Sequence, residues 1–159
     1  MILLLHFKSK PMSNRYSTLC RVLLLNYNRW ASNAHRKPIV VMSKASTEHA
    51  GQTDREGRKK IVSKVEVLGP GQICTETYLL LSTFDTESEA NNLKGYVKTR
   101  FFRFLTSTIL LTQNIAKYKF QFIPNQDFSK SWNDEELYAK YGLTDDEIAF
   151  IESMIRPME

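Results

Sequence analysis

Apolar positions come in short clusters at the front of the chain and take up helical spacing only from residue 86 onward. Residues 22–25 and 39–42 are four-residue apolar clusters, separated by polar Asn, Ser and Arg. The second follows Pro38 and predicts a short buried strand of about 4–6 residues. Residues 48–60 are polar, with Gly51, Gly57 and the run Arg58-Lys59-Lys60, and read as a loop whose basic run is either solvated or in contact with phosphate. Ile61, Val65 and Val67 have strand character. Gly69-Pro70-Gly71 then forces a turn, since proline fixes φ and glycine accepts conformations that other residues resist. Residues 73–81 alternate and then run apolar, which predicts a central strand.

The strongest helix signal starts at Thr86. Thr86-Glu87-Ser88-Glu89 fits a capping box, with Thr86 as N-cap and Glu89 reaching back. Leu93, Val97, Phe101, Phe104 and Leu105 then make one apolar stripe. At about 100° per residue, Arg100 and Arg103 fall on the far side of the stripe beside Tyr96, while Lys94 and Lys98 flank its other border. The helix would bury one face and present two basic edges. Gly95 inside it costs about 1 kcal/mol relative to Ala unless something packs closely against it. After Thr112-Gln113-Asn114, Tyr118, Phe120 and Phe122 alternate with Lys117, Lys119 and Gln121, a half-exposed strand ended by Pro124. Asn133 can cap a helix over 134–141 with Gly142 just past its end. Thr144-Asp145-Asp146-Glu147 is a second capping box, followed by Ile148, Ile151, Met154 and Ile155 on one face, and Pro157 closes it. The elements predict an α+β fold: a small mixed sheet packed on one long amphipathic helix, with two short C-terminal helices. No internal repeat is visible.

Composition adds bounds. The chain has 159 residues, 42% hydrophobic and 25% charged, with 6 Gly and 5 Pro, which suits one compact domain, or a modest domain plus a tail, and excludes collagen-like or low-complexity architectures. No apolar run approaches the ~20 residues of a membrane-spanning helix. Two cysteines, Cys20 and Cys74, make no disulfide framework, and His6, His35 and His49 show no paired ligand spacing, so no metal site is expected. A reducing, cytoplasmic setting follows as the expectation.

Charge divides the chain into blocks that the net +5 conceals. Residues 1–68 hold 13 Lys/Arg against 4 Asp/Glu; residues 69–159 hold 9 against 13. Within the second part, residues 90–126 carry 6 basic residues and no acid, whereas 127–159 carry 3 basic and 9 acidic. Residues 1–47 have eight Lys/Arg and no acid, the composition of a mitochondrial transit peptide. The other reading, preferred here, is a truncated or non-native start. Residues 1–37 are accordingly taken as a basic, poorly ordered leader, and 38–159 as the folded module.

Catalytic chemistry finds little footing. No acidic-x-Lys triplet of the metal-dependent nuclease kind occurs, no two prolines are adjacent as in the Asn/Asp-Pro-Pro-aromatic turn of amino-methyltransferases, and no glycine-rich cofactor loop is present. The acidic cluster Asp134-Glu135-Glu136 suits the first turn of a helix. The two C-terminal helices, joined through Gly142-Leu143, could suggest a helix-turn-helix, but Asp145, Asp146, Glu147 and Glu152 against Arg156 make the second helix a poor reader of DNA; a structural cap is the better account. The stronger nucleic-acid surface is 94–119, where Lys94, Lys98, Arg100, Arg103, Lys117 and Lys119 accompany Tyr96, Phe102 and Tyr118. Cations of this kind meet phosphates, and Gln113, Asn114 and Gln126 suit base-edge or positioning roles. The same cations could equally face the chain's own acidic tail.

The string itself resembles a known family. Cys74-Thr75-Glu76-Thr77-Tyr78, Glu89-Ala90-Asn91-Asn92-Leu93 with Tyr96, Lys98-Thr99-Arg100-Phe101-Phe102-Arg103-Phe104-Leu105 and Thr112-Gln113-Asn114 come in order. Phe122-Ile123-Pro124-Asn125-Gln126-Asp127-Phe128, Trp132, Leu137-Tyr138-Ala139-Lys140-Tyr141-Gly142-Leu143 and Glu147-Ile148-Ala149-Phe150-Ile151-Glu152 follow. This order is similar to the C-terminal, target-recognition-like region of bacterial type II restriction-modification proteins, the adenine-specific DNA methyltransferases and fused restriction-methylation enzymes. The resemblance covers residues 38–159 and not 1–37. It implies double-stranded DNA as partner, and a catalytic domain elsewhere that holds S-adenosylmethionine and the Asn-Pro-Pro-aromatic turn, with no cofactor on this chain. It implies a fragment or separately encoded C-terminal piece, which favours the truncated start over a transit peptide. Two other readings stay open: a structural interaction domain that docks on the methyltransferase domain, and a truncated reading frame without independent function.

Overall fold

The computed structural model describes residues 36–44, 53–109, 120 and 122–158. Ile39–Ser43 forms β1, Val65–Leu68 β2 and Tyr78–Thr83 β3. They make one sheet in the order β2-β1-β3, antiparallel at both pairings. The expected mixed sheet is thereby corrected to an antiparallel one. A parallel pair needs a long crossover, usually helical, and every described helix comes after β3.

The centre of the sheet is β1, where residues 73–81 were expected. Its run Ile-Val-Val-Met lacks alternation because both faces are covered: Val40 and Met42 join the main core, while Ile39 and Val41 pack with Leu68, Cys74, Tyr78 and Leu80. The β3 strand begins only at Tyr78, at the sheet's edge, and Ile73 is 71% exposed beside the turn at Gly71, whose φ is +80°. A register irregularity between Val40 and Val41 leaves Leu81 without a directly opposed residue.

Ile61 lies outside β2. Its φ is +69°, and the Val62 amide donates to Lys60 O at 2.9 Å, which makes residues 60–62 a γ-turn of the rare positive-φ kind. A β-branched residue is strained there.

The long helix is two helices. Glu87–Lys98 forms α1, with the capping box of Thr86 and Glu89 as expected, and Arg100–Ile109 forms α2. Between them Thr99 swings to φ −60°, ψ 151°. Its hydroxyl donates to Tyr96 O at 2.7 Å and accepts from Phe102 N at 3.2 Å, closing one helix and opening the next. The exposed amides of α2 are then taken by a distant side chain: Arg100 N and Phe101 N donate to Asp134 Oδ2 and Oδ1 at 3.0 and 2.9 Å. The break turns α2 so that Phe102 and Arg103 go inside along with Phe101 and Phe104.

The C-terminal helices match their expected ends. Asp134–Tyr141 forms α3, with Asn133 and Glu136 as a reciprocal capping box and Gly142 left-handed at φ 63°. Asp145–Met154 forms α4, with Thr144 and Glu147 as its box. Leu137, Tyr138, Ile151 and Ile155 carry these helices into the main core. Past α4 the chain pairs with the loop before β2: Lys59 N donates to Met154 O at 2.8 Å, and Arg156 N to Lys59 O at 3.1 Å.

The strand expected around Tyr118 lies largely outside the described residues. Phe120, 3% exposed, stacks near Phe102 with ring centroids 6.0 Å apart, whereas Phe122 is 57% exposed. Two residues sharing one strand face would not differ so. Ile123 N donates to Phe120 O at 3.0 Å, a turn where the alternation suggested a strand.

Candidate functional site

The expected basic surface is assembled differently from the helical-wheel projection. Arg103, placed on an exposed edge by that projection, is 1% exposed. Its Nε donates to Lys98 O at 2.9 Å and Thr99 O at 3.1 Å, and its Nη1 to Lys60 O at 3.3 Å and Arg156 O at 2.9 Å. One guanidinium thus joins the end of α1, the γ-turn before β2 and the segment after α4. Burial lowers its pKa to about 10; Asp134 opposes that shift, and Arg100 and Arg156 add to it. It remains a cation at neutral pH, satisfied by carbonyls and screened from solvent.

Arg100 is likewise engaged. Its Nη1 pairs with Glu152 Oε1 at 2.6 Å, half-buried, between α2 and α4. The acidic tail therefore faces one of the cations of 90–126, the alternative arrangement that the charge blocks left open. Gln126, expected near base edges, is buried: its amide donates to Tyr141 OH at 2.8 Å and its carbonyl accepts from Lys140 Nζ at 2.6 Å. Tyr96 is also internal, its hydroxyl donating to Pro124 O at 2.7 Å, and burial pushes its pKa well up.

Lys94 and Lys98 sit half-buried on α1. Glu66 is held below the usual carboxylate range first by its hydrogen bond from Lys64, with Lys94 adding a smaller attraction. Gln113, Asn114, Lys117 and Lys119 lie outside the described residues. The structure thus leaves Lys94 and Lys98 together on one helix and gives Arg100, Arg103 and Gln126 internal partners.

Several determinants escaped the sequence reading. Asp134 looked like a dipole-favoured residue of its own helix, and nothing local signals that it caps α2. Tyr138, beside Asp134, Glu152, Arg100 and Arg103, has a buried hydroxyl without a hydrogen-bond partner, and burial raises its pKa. Lys130 and Lys140 stand 3.9 and 4.2 Å from the centre of the Trp132 ring, and Trp132 Nε1 donates to Asp127 O at 2.7 Å. Among the described residues no group of three or more His, Cys, Asp or Glu could hold a metal ion, and no helix is long and apolar enough to cross a membrane. Cys20 and the three histidines lie outside the described residues.

Comparison of the chain with protein-family models, curated proteins and solved structures gives no match.

Proposed function

We propose that this chain is a DNA-binding, target-recognition-like module of an adenine N6-methyltransferase of the bacterial restriction-modification kind, working in the cytoplasm with a catalytic domain that binds S-adenosylmethionine and flips the adenine. The observation that carries the reading is the acid-free stretch 90–126, whose order of residues resembles that family. Lys94 and Lys98 on α1, with Lys117 and Lys119 beyond α2, are the phosphate contacts; Gln113 and Asn114 are the base-edge candidates. Arg100, Arg103 and Gln126 serve the fold, so alanine at those positions would confuse lost binding with lost structure.

The test is duplex binding by the full chain, followed by fluorescence anisotropy across a range of salt. Substituting Lys94, Lys117 and Lys119 by Gln should weaken binding equally on unrelated duplexes and reduce the salt slope by about 1 per residue. A full chain with no salt-dependent affinity ends the reading.

The second reading, a domain that docks on the methyltransferase, is favoured by Phe150, which is 54% exposed although its ring meets Phe104 edge-on at 5.9 Å. Tight binding to an adenine methyltransferase domain without DNA affinity would select it.

A further inference from the structure

We infer that the outer face of α1 is a reading surface that enters the major groove of a DNA duplex, with Gly95 as the point of closest approach and Asn91 on a base edge. The inference rests on the DNA reading above and deepens it, naming the element and the residues that give it sequence preference.

One side of α1 belongs to the core, where Ala90, Leu93, Tyr96 and Val97 are all buried. At about 100° per residue Asn91 and Gly95 stand on the opposite side, one turn apart, and both are exposed. Glycine and asparagine rank low as helix formers. Gly95 has nothing within 4 Å of where a Cβ would be, so no neighbour in the protein requires its small size. The Asn91 side chain takes part in none of the hydrogen bonds among the described residues. Its neighbour Asn92 shows the contrast: that amide donates to Phe128 O at 2.9 Å and ties α1 to the chain before α3. The outer crest of α1 thus gives up helix stability at two positions without an internal contact in return.

An α-helix with its side chains is about 10–12 Å across, and the major groove is about 12 Å wide. The fit is close enough that a missing side chain at the crest sets how far the backbone descends. At Gly95 the helix meets the groove with backbone alone. Asn91, one turn nearer the N-terminus, then reaches the base edges despite its short side chain. Its amide pairs with adenine by donating to N7 and accepting from the N6 amino group.

The charge along this face suits a duplex. Lys94 and Lys98, one residue before Gly95 and three after it, are half-exposed and border the crest, where the phosphates of the groove walls lie. Glu66 is the acid beside Lys94. It accepts from Lys64 at 2.8 Å, and its attraction to Lys94 is smaller, so the three groups together keep a positive charge. Glu89 closes the capping box on Thr86. Glu87 stands more than two turns before Gly95, about 12 Å along the axis, which confines the duplex to the C-terminal half of α1.

The experiment uses the full chain and a fluorescein-labelled pool of random-sequence duplexes. Sequencing the bound fraction gives the base preference, and anisotropy on the duplex that the parental chain selects gives the affinity. Gly95→Ala should move two readouts in opposite directions, raising the urea midpoint while weakening affinity by about fivefold or more, the scale of one mismatched base pair. Gly95→Gln, a better helix former with a longer side chain, should weaken it further. Asn91→Ala should relax the preference for adenine at one position and leave the others. Parental affinity in Gly95→Ala, or parental base preference in Asn91→Ala, overturns this inference alone and leaves the phosphate contacts standing. A parental chain that binds with salt dependence but selects no sequence overturns the reading role of α1 in the same way. A parental chain with no salt-dependent binding overturns the DNA reading and this face with it.

Discussion

Gly95 lies on the exposed side of α1 in helical geometry, and nothing stands within 4 Å of where a Cβ would be. No close packing justifies it, so its conformational freedom in the unfolded chain is an uncompensated loss. Gly95→Ala should stabilise the protein by about 0.5–1 kcal/mol, read as a raised urea midpoint at constant slope. Glu136 offers a pH-dependent counterpart. Its carboxyl is held below the ordinary value first by the hydrogen bond from Lys130 and then by the Asn133 amide. A folded value below the unfolded one means that its stabilisation is complete above the usual carboxylate range and lost as pH falls through the folded value. Glu136→Gln should therefore lower stability at pH 7 and make little difference near pH 2, measured by denaturant unfolding at both. At this scale the sequence was readable where chemistry is local, as with the capping boxes at Thr86 and Thr144 and the N-cap at Asn133. It misled at Arg103, because a wheel drawn through an unbroken helix cannot see that Thr99 leaves helical geometry.

The α1–α2 break shows how one element depends on another far along the chain. Thr99 supplies a hydroxyl, but the two leading amides of α2 are satisfied by a carboxylate 34 and 33 residues away. Arg100 and Arg103 stand in the first turn of α2, where the helix dipole disfavours cations, and Asp134 offsets that placement. Asp134→Ala should cost about 1–2 kcal/mol by leaving both amides without an acceptor, whereas Glu135→Ala, on the exposed side of α3, should stay within about 0.5 kcal/mol. Comparable losses for the two variants would show that Asp134 acts only through its own helix. The apolar stripe still located the buried face of both helices, since Leu93, Val97, Phe101 and Phe104 all reach the core. What periodicity could not supply was the direction change, because no Gly or Pro marks it and the stabilising partner is tertiary. The sheet was misassigned for a related reason. A run such as Leu79-Leu80-Leu81 looks buried on both faces, and only the pairing shows that β1 holds the centre.

At the scale of the whole molecule, sheet, helices and the segment after α4 share one core that runs from Val40 to Ile155. Unfolding should be a single cooperative transition, with far-ultraviolet circular dichroism and aromatic fluorescence giving the same urea midpoint. Separate midpoints would divide this unit, and the lack of any transition would support a reading frame without independent function. Charge blocks gave a partial guide here: they found the basic middle and the acidic tail, but not that Glu152 crosses to Arg100 or that Lys59 and Lys60 come to lie beside Arg156. The parallel bridge between Lys59 and Ile155 has a consequence for how the protein is made. Its partners are about a hundred residues apart in sequence, and closing so long a loop carries an entropy cost that later contacts must recover. A nascent chain on the ribosome can form β1, β2, β3 and α1 early, yet Lys59 and Arg103 gain their remaining partners only when residues 154–156 emerge. Until then the strained turn at Ile61 lacks one of its restraints, and ribosome-bound chains halted before residue 150 should be cleaved by protease near it while released chains resist.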